Sequence, residues 1–458
     1  MTRIDPSDPR PVHFVGIAGA GMRALAELLA RRDIKVTGCD ASPGSTADLQ
    51  ALGIEVARGH SPDHVAGARE LIVTSAMPRN HPELERARDL GIPITRRAEA
   101  LGRAVAGGRV VGISGTHGKT TTTVMTTAAL ASAGLRPTGI AGGRVAEWNG
   151  NLRYESDKLF VVEADEYDRS FLSLSPNVAV VTNVEADHLD IYKDLDDITS
   201  TFSRFVEGAA AIVLCDDDAG ARSLSMPATA EVVRYGLTSR DARLVARNVQ
   251  SSGRSTTFTV AHDADVLGEI QLNVPGHHNI QNALAAIGCG LVLGVTLDAM
   301  RDGLAQFRGV DRRFQHLCDV SGIAIIDDYA HHPTEIAATL QAARASYPGR
   351  RIVAAFQPHL YSRTRDFSAA FGAALSQADC VFLAEIYPAR EQPIPGVTSE
   401  LVASSMKQGG RPVIWQGERS ALAEALSQFV REGDVVITIG AGDITQTGPE
   451  LMLRLEQR

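Results

Sequence analysis

Short unbroken apolar runs, each followed by a glycine turn and a stretch with apolar residues at helical spacing, recur through most of the chain. That rhythm predicts parallel strands alternating with helices, because a strand buried on both faces is continuously hydrophobic where a half-exposed one alternates. His13–Val15 leads into Gly16-Ile-Ala-Gly19-Ala20-Gly21, after which Met22, Leu25, Ala26 and Leu29 share one helical face. A second strand, Lys35–Cys39, ends at Asp40, nineteen residues after Gly21. Arg109–Ser114 then runs into Gly115-Thr116-His117-Gly118-Lys119-Thr120-Thr121. The stretch beyond it puts Met125, Ala128, Ala129 and Leu130 on an apolar face and offers Gly134 as a cap. Leu159–Val162, Val178–Thr182 and Ala211–Leu214 read as further buried strands.

The pattern shifts around residues 243–274, where TTFTV and GEIQLNV alternate and predict a small antiparallel patch. After Arg312-Arg313-Phe314, strands are expected at Ile323–Ile326, Ile352–Phe356, Val381–Leu383, Val413–Trp415 and Val435–Ile439, with Pro333 opening an intervening helix over Ile336, Leu340 and Ala343. The expected architecture is α/β with three domains. Residues 1–107 form a Rossmann-like domain, 108–317 a central P-loop ATPase-type domain with a mostly parallel sheet, and 318–458 a second Rossmann-like domain.

Composition narrows the function classes. At 458 residues, 44% apolar and 22% charged, the chain has the balance of a soluble protein with several cores, and no apolar stretch approaches membrane-span length. A net charge of −9 with no basic run argues against nucleic acid as a partner. Five scattered cysteines without a CxxC pair fit neither a disulfide framework nor a zinc knuckle. With no apolar signal core before the first strand, the cytoplasm is the expected compartment.

The candidate chemistry centres on Gly115–Thr121. A strand, a glycine turn and a helix N-terminus build a polyphosphate pocket in which backbone N–H groups, the positive helix end and a lysine ammonium meet anionic oxygens. Lys119 fills the lysine position and Thr120 can hold Mg2+. The spacing is a variant one, because Ile113 stands where the strict motif has glycine. Glu163 ends the Leu159 strand and Thr182-Asn183-Val184-Glu185-Ala186-Asp187-His188 follows the Val178 strand. Two acidic strand ends therefore converge beside the phosphate loop, where open α/β sheets bind ligands. Glu163 can complete the Mg2+ site and His188 can serve a second metal or orient a substrate. Asp165, Glu166 and Asp168 read as solvated charge or, at most, substrate-side groups. In the first glycine turn Ala18 occupies the middle position of GxGxxG, which disfavours an NAD-type pyrophosphate grip.

GTHGKTTTT, EADEYDRSFL, TNVEADHLD, GHHNIQNALAA, RRFQ, DDYAHHPTEI, FQPHLYSRTRDF and GAGDI, in this order, resemble the Mur ligases of peptidoglycan synthesis across nearly the whole chain. DDYAHHP and SRTRD point to the alanine-adding branch; the peptide-recycling branch shares much of the set. The resemblance implies ATP and Mg2+ as cofactors, and UDP-N-acetylmuramate and L-alanine as substrates of a monomer or weak homodimer. It implies amide formation through an acyl phosphate, with the C-terminal domain closing to exclude water. By resemblance, Lys119 is the phosphate-binding lysine, Thr120 and Glu163 are ligands of the first Mg2+, and His188 is a ligand of the second. Asn279 and Asn282 match a pair near the adenine, Arg313 an arginine reaching the phosphates, and Asp328 an aspartate at the nucleotide. Gly19, Ala20, Gly21, Met22, Asp40 and Ser75 fall on the UDP-substrate side, and His331, His332 and Arg363 on the amino-acid side. Leu360 stands where some relatives have arginine.

Two other classes compete. A nucleotide switch without ligase activity would use the same phosphate loop but has no need of a second metal ligand. An NAD oxidoreductase is favoured by Asp40 and the first glycine turn and opposed by Ala18.

Overall fold

The computed structural model describes residues 5–74, 77, 78 and 80–457; Ser75 lies outside them. Three sheets carry the chain. The first is built from β1 (Val12–Val15), β2 (Val36–Asp40), β3 (Glu55–Arg58), β4 (Glu70–Val73) and β5 (Ile94–Arg96), in the order β3-β2-β1-β4-β5. All four pairings are parallel. The order reverses at β1, so the Gly16–Gly21 turn leaves the sheet at its switch point, where such folds place ligands. Helix Ala20–Ala30 buries Met22, Leu25, Ala26 and Leu29, as the periodicity predicts, in one core with Val12 and Phe14.

The second sheet comprises β6 (Arg109–Ser114), β7 (Thr138–Val145), β8 (Gly150–Arg153), β9 (Leu159–Glu163), β10 (Val178–Val181), β11 (Ala211–Cys215), β12 (Glu231–Gly236), β13 (Leu244–Ser252), β14 (Ser255–His262) and β15 (Asp265–Leu272). Its order is β15-β14-β13-β12-β11-β10-β6-β9-β7-β8. From β13 to β7 the printed register is parallel throughout, and β8 closes the edge antiparallel to β7. Strands β10 and β11 are wholly buried, which their unbroken apolar runs require. β6 lies between β9 and β10, so the phosphate loop opens between two strand ends that carry acids and amides.

Helix Lys119–Ser132 departs from the expected one-sided stripe. Thr120 through Thr127 are all buried while Ala128 is partly exposed. Threonine tolerates this burial because its hydroxyl can bond locally, as Thr127 Oγ1 does in donating to Thr123 O at 2.7 Å.

The third sheet contains β16 (Gln315–Val320), β17 (Ile323–Asp328), β18 (Ile352–Phe356), β19 (Cys380–Ala384), β20 (Trp415–Gly417) and β21 (Val435–Ile439), in the order β16-β17-β21-β18-β19-β20. All neighbours are parallel except β16 with β17. β16 has no counterpart in the apolar pattern because its residues are only half-buried. β20 begins two residues later than the run Val413–Trp415 implies. By backbone contacts the chain divides into two compact units: Met1–Arg247 with Thr259–Ile270 and Gln281–Gln306, and Asn248–Phe258 with Gln271–Ile280 and Phe307–Arg458. Among the described residues no helix is long and apolar enough to cross a membrane.

Candidate active site

The phosphate loop is shaped by two glycines that no other residue could replace without strain. Gly115 has φ +142°, and a side chain there would run into Thr182. Gly118, at φ +82°, caps the helix in the left-handed region, and an added Cβ would lie 2.7 Å from Asn282 Oδ1. The loop is also clamped to the segment after β10. Thr116 N–H donates to Asn183 O at 3.0 Å, and His117 N–H to Asn183 Oδ1 at 2.7 Å. Thr182 Oγ1 donates to His117 O at 2.6 Å, and Glu185 N–H to Thr116 Oγ1 at 2.8 Å. His117 Nε2 lies 3.4 Å from Glu185 Oε2, and Thr121 is buried in the first helical turn.

Lys119 turns back into this loop. Its ammonium donates to Gly115 O at 2.7 Å, to Thr116 O at 3.0 Å and to Glu166 at 2.8 Å. Glu166, 3% exposed, also has an oxygen 3.6 Å from His188 Nε2, so one carboxylate joins the lysine to the histidine. Beside them Thr120 Oγ1 donates to Glu163 Oε1 at 3.0 Å, and Gly142 N–H donates to Glu163 Oε2. Lys119, Thr120, Glu163 and His188 thus come together in the first unit, as the sequence pattern predicts. Glu166 is the residue that pattern undervalued.

The electrostatics divide the two glutamates. Burial raises the pKa of Glu163, against the pull of Gly142 N–H and Lys119. Burial opposes ionisation of Glu166 as well, but Lys119 and His188 outweigh it and its pKa falls. Lys119 is raised because Glu166, Asp165 and Glu163 together overcome desolvation. His188 is likewise raised against burial by Glu166 and Asp187. His188 sits at φ +53°, where a non-glycine residue is uncommon, with Tyr167 edge-on at 5.1 Å. Asp165 Oδ1 accepts from Tyr167 N–H, and Asp168 pairs with Arg96 at 3.2 Å, so both are engaged in shaping the turn.

On helix His277–Val292, Asn282 Oδ1 accepts from Thr122 Oγ1 at 3.0 Å, and Asn279 Nδ2 donates to Pro275 O at 2.7 Å. In the first sheet, Gly19 is the N-cap of the helix that Ala20 and Gly21 begin, and Gly21 leaves room for the Arg97 guanidinium. Asp40 braces this turn from within: Oδ2 accepts from Ala18 N–H at 3.1 Å and Oδ1 from Ser42 N–H at 2.9 Å. Met22 is 3% exposed and packs in the core, so its side chain serves packing.

The second unit gathers a separate group. Asp328, at the end of β17, accepts from Phe314 N–H at 2.9 Å, Ala330 N–H at 2.8 Å and Thr339 Oγ1 at 3.1 Å. Burial pushes its pKa up to about 6 despite the nearby Arg313. The Arg313 guanidinium lies 5.0 Å from the Tyr329 ring centre and 3.7 Å from Glu335 Oε1. Glu335 Oε2 accepts from His331 N–H at 2.9 Å and His332 N–H at 3.3 Å. His332 caps helix Pro333–Ser346 through Nδ1, and Glu335 reaches back to the His332 N–H, so the pair forms a capping box. Arg363 is 6% exposed on helix Tyr361–Leu375, which opens at Leu360 with φ +72°.

Profiles for the Mur ligase family, catalytic domain, the Mur ligase middle domain and the Mur ligase, glutamate ligase domain match residues 11–109, 113–290 and 312–442. The chain is 42% identical to the UDP-N-acetylmuramate–L-alanine ligase of Salinibacter ruber, covering 98% of this chain and 95% of that one. The chain belongs to the Mur ligase family. This Mur ligase is also 44% identical to the UDP-N-acetylmuramate–L-alanine ligase of Rubrobacter xylanophilus, over 97% of this chain and all of that one. Its fold matches the crystal structure of UDP-N-acetylmuramate-alanine ligase MurC from Thermotoga maritima with a TM-score of 0.83 at 30% identity, over 98% and 99% of the two chains. The murein peptide ligase of Psychrobacter arcticus shares the three-domain α/β fold at a TM-score of 0.70 and 24% identity.

Proposed function

We propose that this Mur ligase joins L-alanine to the lactyl carboxylate of UDP-N-acetylmuramate while ATP becomes ADP and phosphate. The observation that carries the reading is the buried set of Lys119, Glu166 and His188 beside Thr120 and Glu163 at the mouth of a glycine phosphate loop. The choice of sugar nucleotide and amino acid is supported by full-length relatives that bear this activity in their names.

A carboxylate does not acylate an amine in water until one of its oxygens becomes part of a good leaving group. In the proposed sequence the lactyl carboxylate attacks the γ-phosphoryl group, breaking its bond to ADP and forming an acyl phosphate. The neutral amine of L-alanine then attacks the acyl carbon, phosphate leaves with the oxygen it received, and the amine proton passes to solvent. Such phosphoryl transfer is helped mainly by alignment and by positive charge around the moving group.

The loop residues Gly115–Thr121, with the first-turn N–H groups of helix Lys119–Ser132, are assigned to the polyphosphate. The Lys119 ammonium, held by two carbonyls and Glu166, exchanges part of that shell for phosphate oxygens as ATP binds. The donor chemistry suits Mg2+: Thr120 and Glu163 offer hard oxygens side by side, Thr120 Oγ1 lying 3.0 Å from Glu163 Oε1. Thr120 and Glu163 would hold one ion, and His188 with Glu166 a second. When bound, Mg2+ supplies the charge that lets an anionic carboxylate approach an anionic phosphate.

Asn279 and Asn282 are assigned to the adenine side, and Arg313 and Asp328 to the nucleotide. Gly19, Ala20, Gly21 and Asp40 are assigned to the UDP end, and His331 and Arg363 to the amino acid. In domain terms we assign residues 1–107 to the UDP-substrate end, 108–317 to ATP and 318–458 to the amino-acid side. Purified protein given ATP, Mg2+ and UDP-N-acetylmuramate should release phosphate and a product of matching mass with L-alanine. Turnover with a preformed tripeptide and not with alanine would overturn the substrate choice.

A further inference from the structure

On the first sheet, Val12 and Phe14 face helix Ala20–Ala30, so His13 and Val15 face the other way, into a small core with Val65, Leu71, Leu84 and Ala87. Within that apolar packing the fold collects residues scattered in sequence. They are His13 on β1, Cys39 near the end of β2, His60 and His64 after β3, and His81 and Glu83 at the start of helix Pro82–Asp89.

Glu83 is fully buried, and among the described residues no arginine or lysine pairs with it. Its oxygens lie 3.2 Å from Cys39 Sγ and accept from Ser61 N–H at 3.0 Å, with His64 Nδ1 at 2.9 Å and His60 Nδ1 at 3.6 Å. A carboxylate withdrawn from water is costly unless a cation faces it. His13, 2% exposed, is the second anomaly. Its Nδ1 lies 2.9 Å from Thr37 Oγ1, while its buried Nε2 has no hydrogen-bond partner. One ring nitrogen of His13, one of His64, Cys39 Sγ and a Glu83 oxygen all lie within 4.8 Å of one another.

We propose that His13, Cys39, His64 and Glu83 form a binding site for a divalent cation of the zinc class, on a different sheet from the phosphate loop. Two imidazoles, a thiolate and a carboxylate are a donor set for tetrahedral zinc. Bonds of about 2.0–2.3 Å place neighbouring donors roughly 3.3–3.8 Å apart, so the observed Cys39–Glu83 and His64–Glu83 spacings need only a slight opening. Thr37 Oγ1 is placed to fix the orientation of the His13 ring from behind. The buried His13 Nε2, which has no hydrogen-bond partner, is available to ligate. As the cation binds, Cys39 releases its thiol proton to solvent and the thiolate takes the metal bond. The His60 and His64 side chains, each 24% exposed, offer the route from water. Gly16 and Ile17 N–H both donate to Cys39 O, at 2.8 and 3.0 Å, so an ion here would stiffen the back of the first glycine turn.

Cobalt titration of the reduced full-length protein in excess Mg2+ tests this. One equivalent should give tetrahedral visible bands and a thiolate-to-cobalt charge-transfer band, both displaced by zinc. Cys39→Ser should abolish the charge-transfer band and Cys318→Ser should leave it intact. His64→Gln, at a partly exposed position, should weaken cobalt binding at least about tenfold if Cys39→Ser does not fold. The melting temperature of the unaltered protein should rise with zinc and fall back with chelator. A folded unaltered protein without the charge-transfer band, or a band that survives Cys39→Ser, would overturn the proposal and leave a purely hydrogen-bonded cage around Glu83.

Discussion

Replacing Glu166 by glutamine separates two roles that its position combines. The carboxylate neutralises Lys119 at 2.8 Å and faces His188 at 3.6 Å. Glutamine keeps the shape and one acceptor but removes the charge. Breaking a buried pair costs about 3–5 kcal/mol when nothing compensates. Here Gly115 O and Thr116 O still hold the ammonium, and Asp165 and Glu163 remain nearby, so a loss of about 1–3 kcal/mol is expected. The pKa values of Lys119 and His188 should both fall, since Glu166 raises each. If Glu166 also positions a cation with His188, kcat should drop about 10–100-fold and the Mg2+ requirement should rise, with KM for the sugar nucleotide nearly unchanged. Urea melts and coupled ADP release at varied Mg2+ read both effects. A variant that loses stability but keeps kcat and its Mg2+ dependence would refute the cation role and reduce Glu166 to a counter-ion.

Lys119→Ala should abolish ADP formation while calorimetry still detects UDP-N-acetylmuramate; loss of both would argue against separate sites. Gly115→Ala forces a side chain onto φ +142° and against Thr182, and should cost more than about 2 kcal/mol in thermal or urea unfolding. Asp328 supplies a pH test. Its folded pKa, about 6, is raised above the unfolded value by burial, so its contribution is fully present at low pH and is lost as pH rises through 6. Asp328→Asn should therefore gain on the unaltered protein between about pH 4 and 7, by up to about 3 kcal/mol in urea melts. A difference that does not change with pH would contradict the buried, destabilised carboxylate.

Much of this fold is legible because parallel strands buried on both faces announce themselves as apolar runs. β6, β9, β10 and β11 are of that kind, and the residues at the C-terminal ends of the first three build the candidate site around Lys119. β16 is half-buried and carries no such signal. The importance of Glu166 is hidden for a different reason: it meets Lys119 from the turn that follows β9, in which Asp168 and Arg169 are both in the left-handed region. Nothing in EADEYDR demands two such residues in succession. The signal that could have raised Glu166 is its place three residues beyond a strand-ending glutamate, opposite a phosphate-loop lysine. The His13, Cys39, His64 and Glu83 cluster is invisible along the sequence, since its members come from β1, β2, the short helix after β3 and the start of helix Pro82–Asp89 and meet only in the folded domain.

If the cradle around Lys119 activates a sugar-borne acid by phosphorylating it, the lactyl oxygens must record that step. UDP-N-acetylmuramate carrying heavy oxygen in its lactyl carboxylate, turned over with ATP, Mg2+ and L-alanine, should deliver one labelled oxygen to each phosphate released. Phosphate that forms together with the amide product yet carries no label would rule out an acyl phosphate at this site.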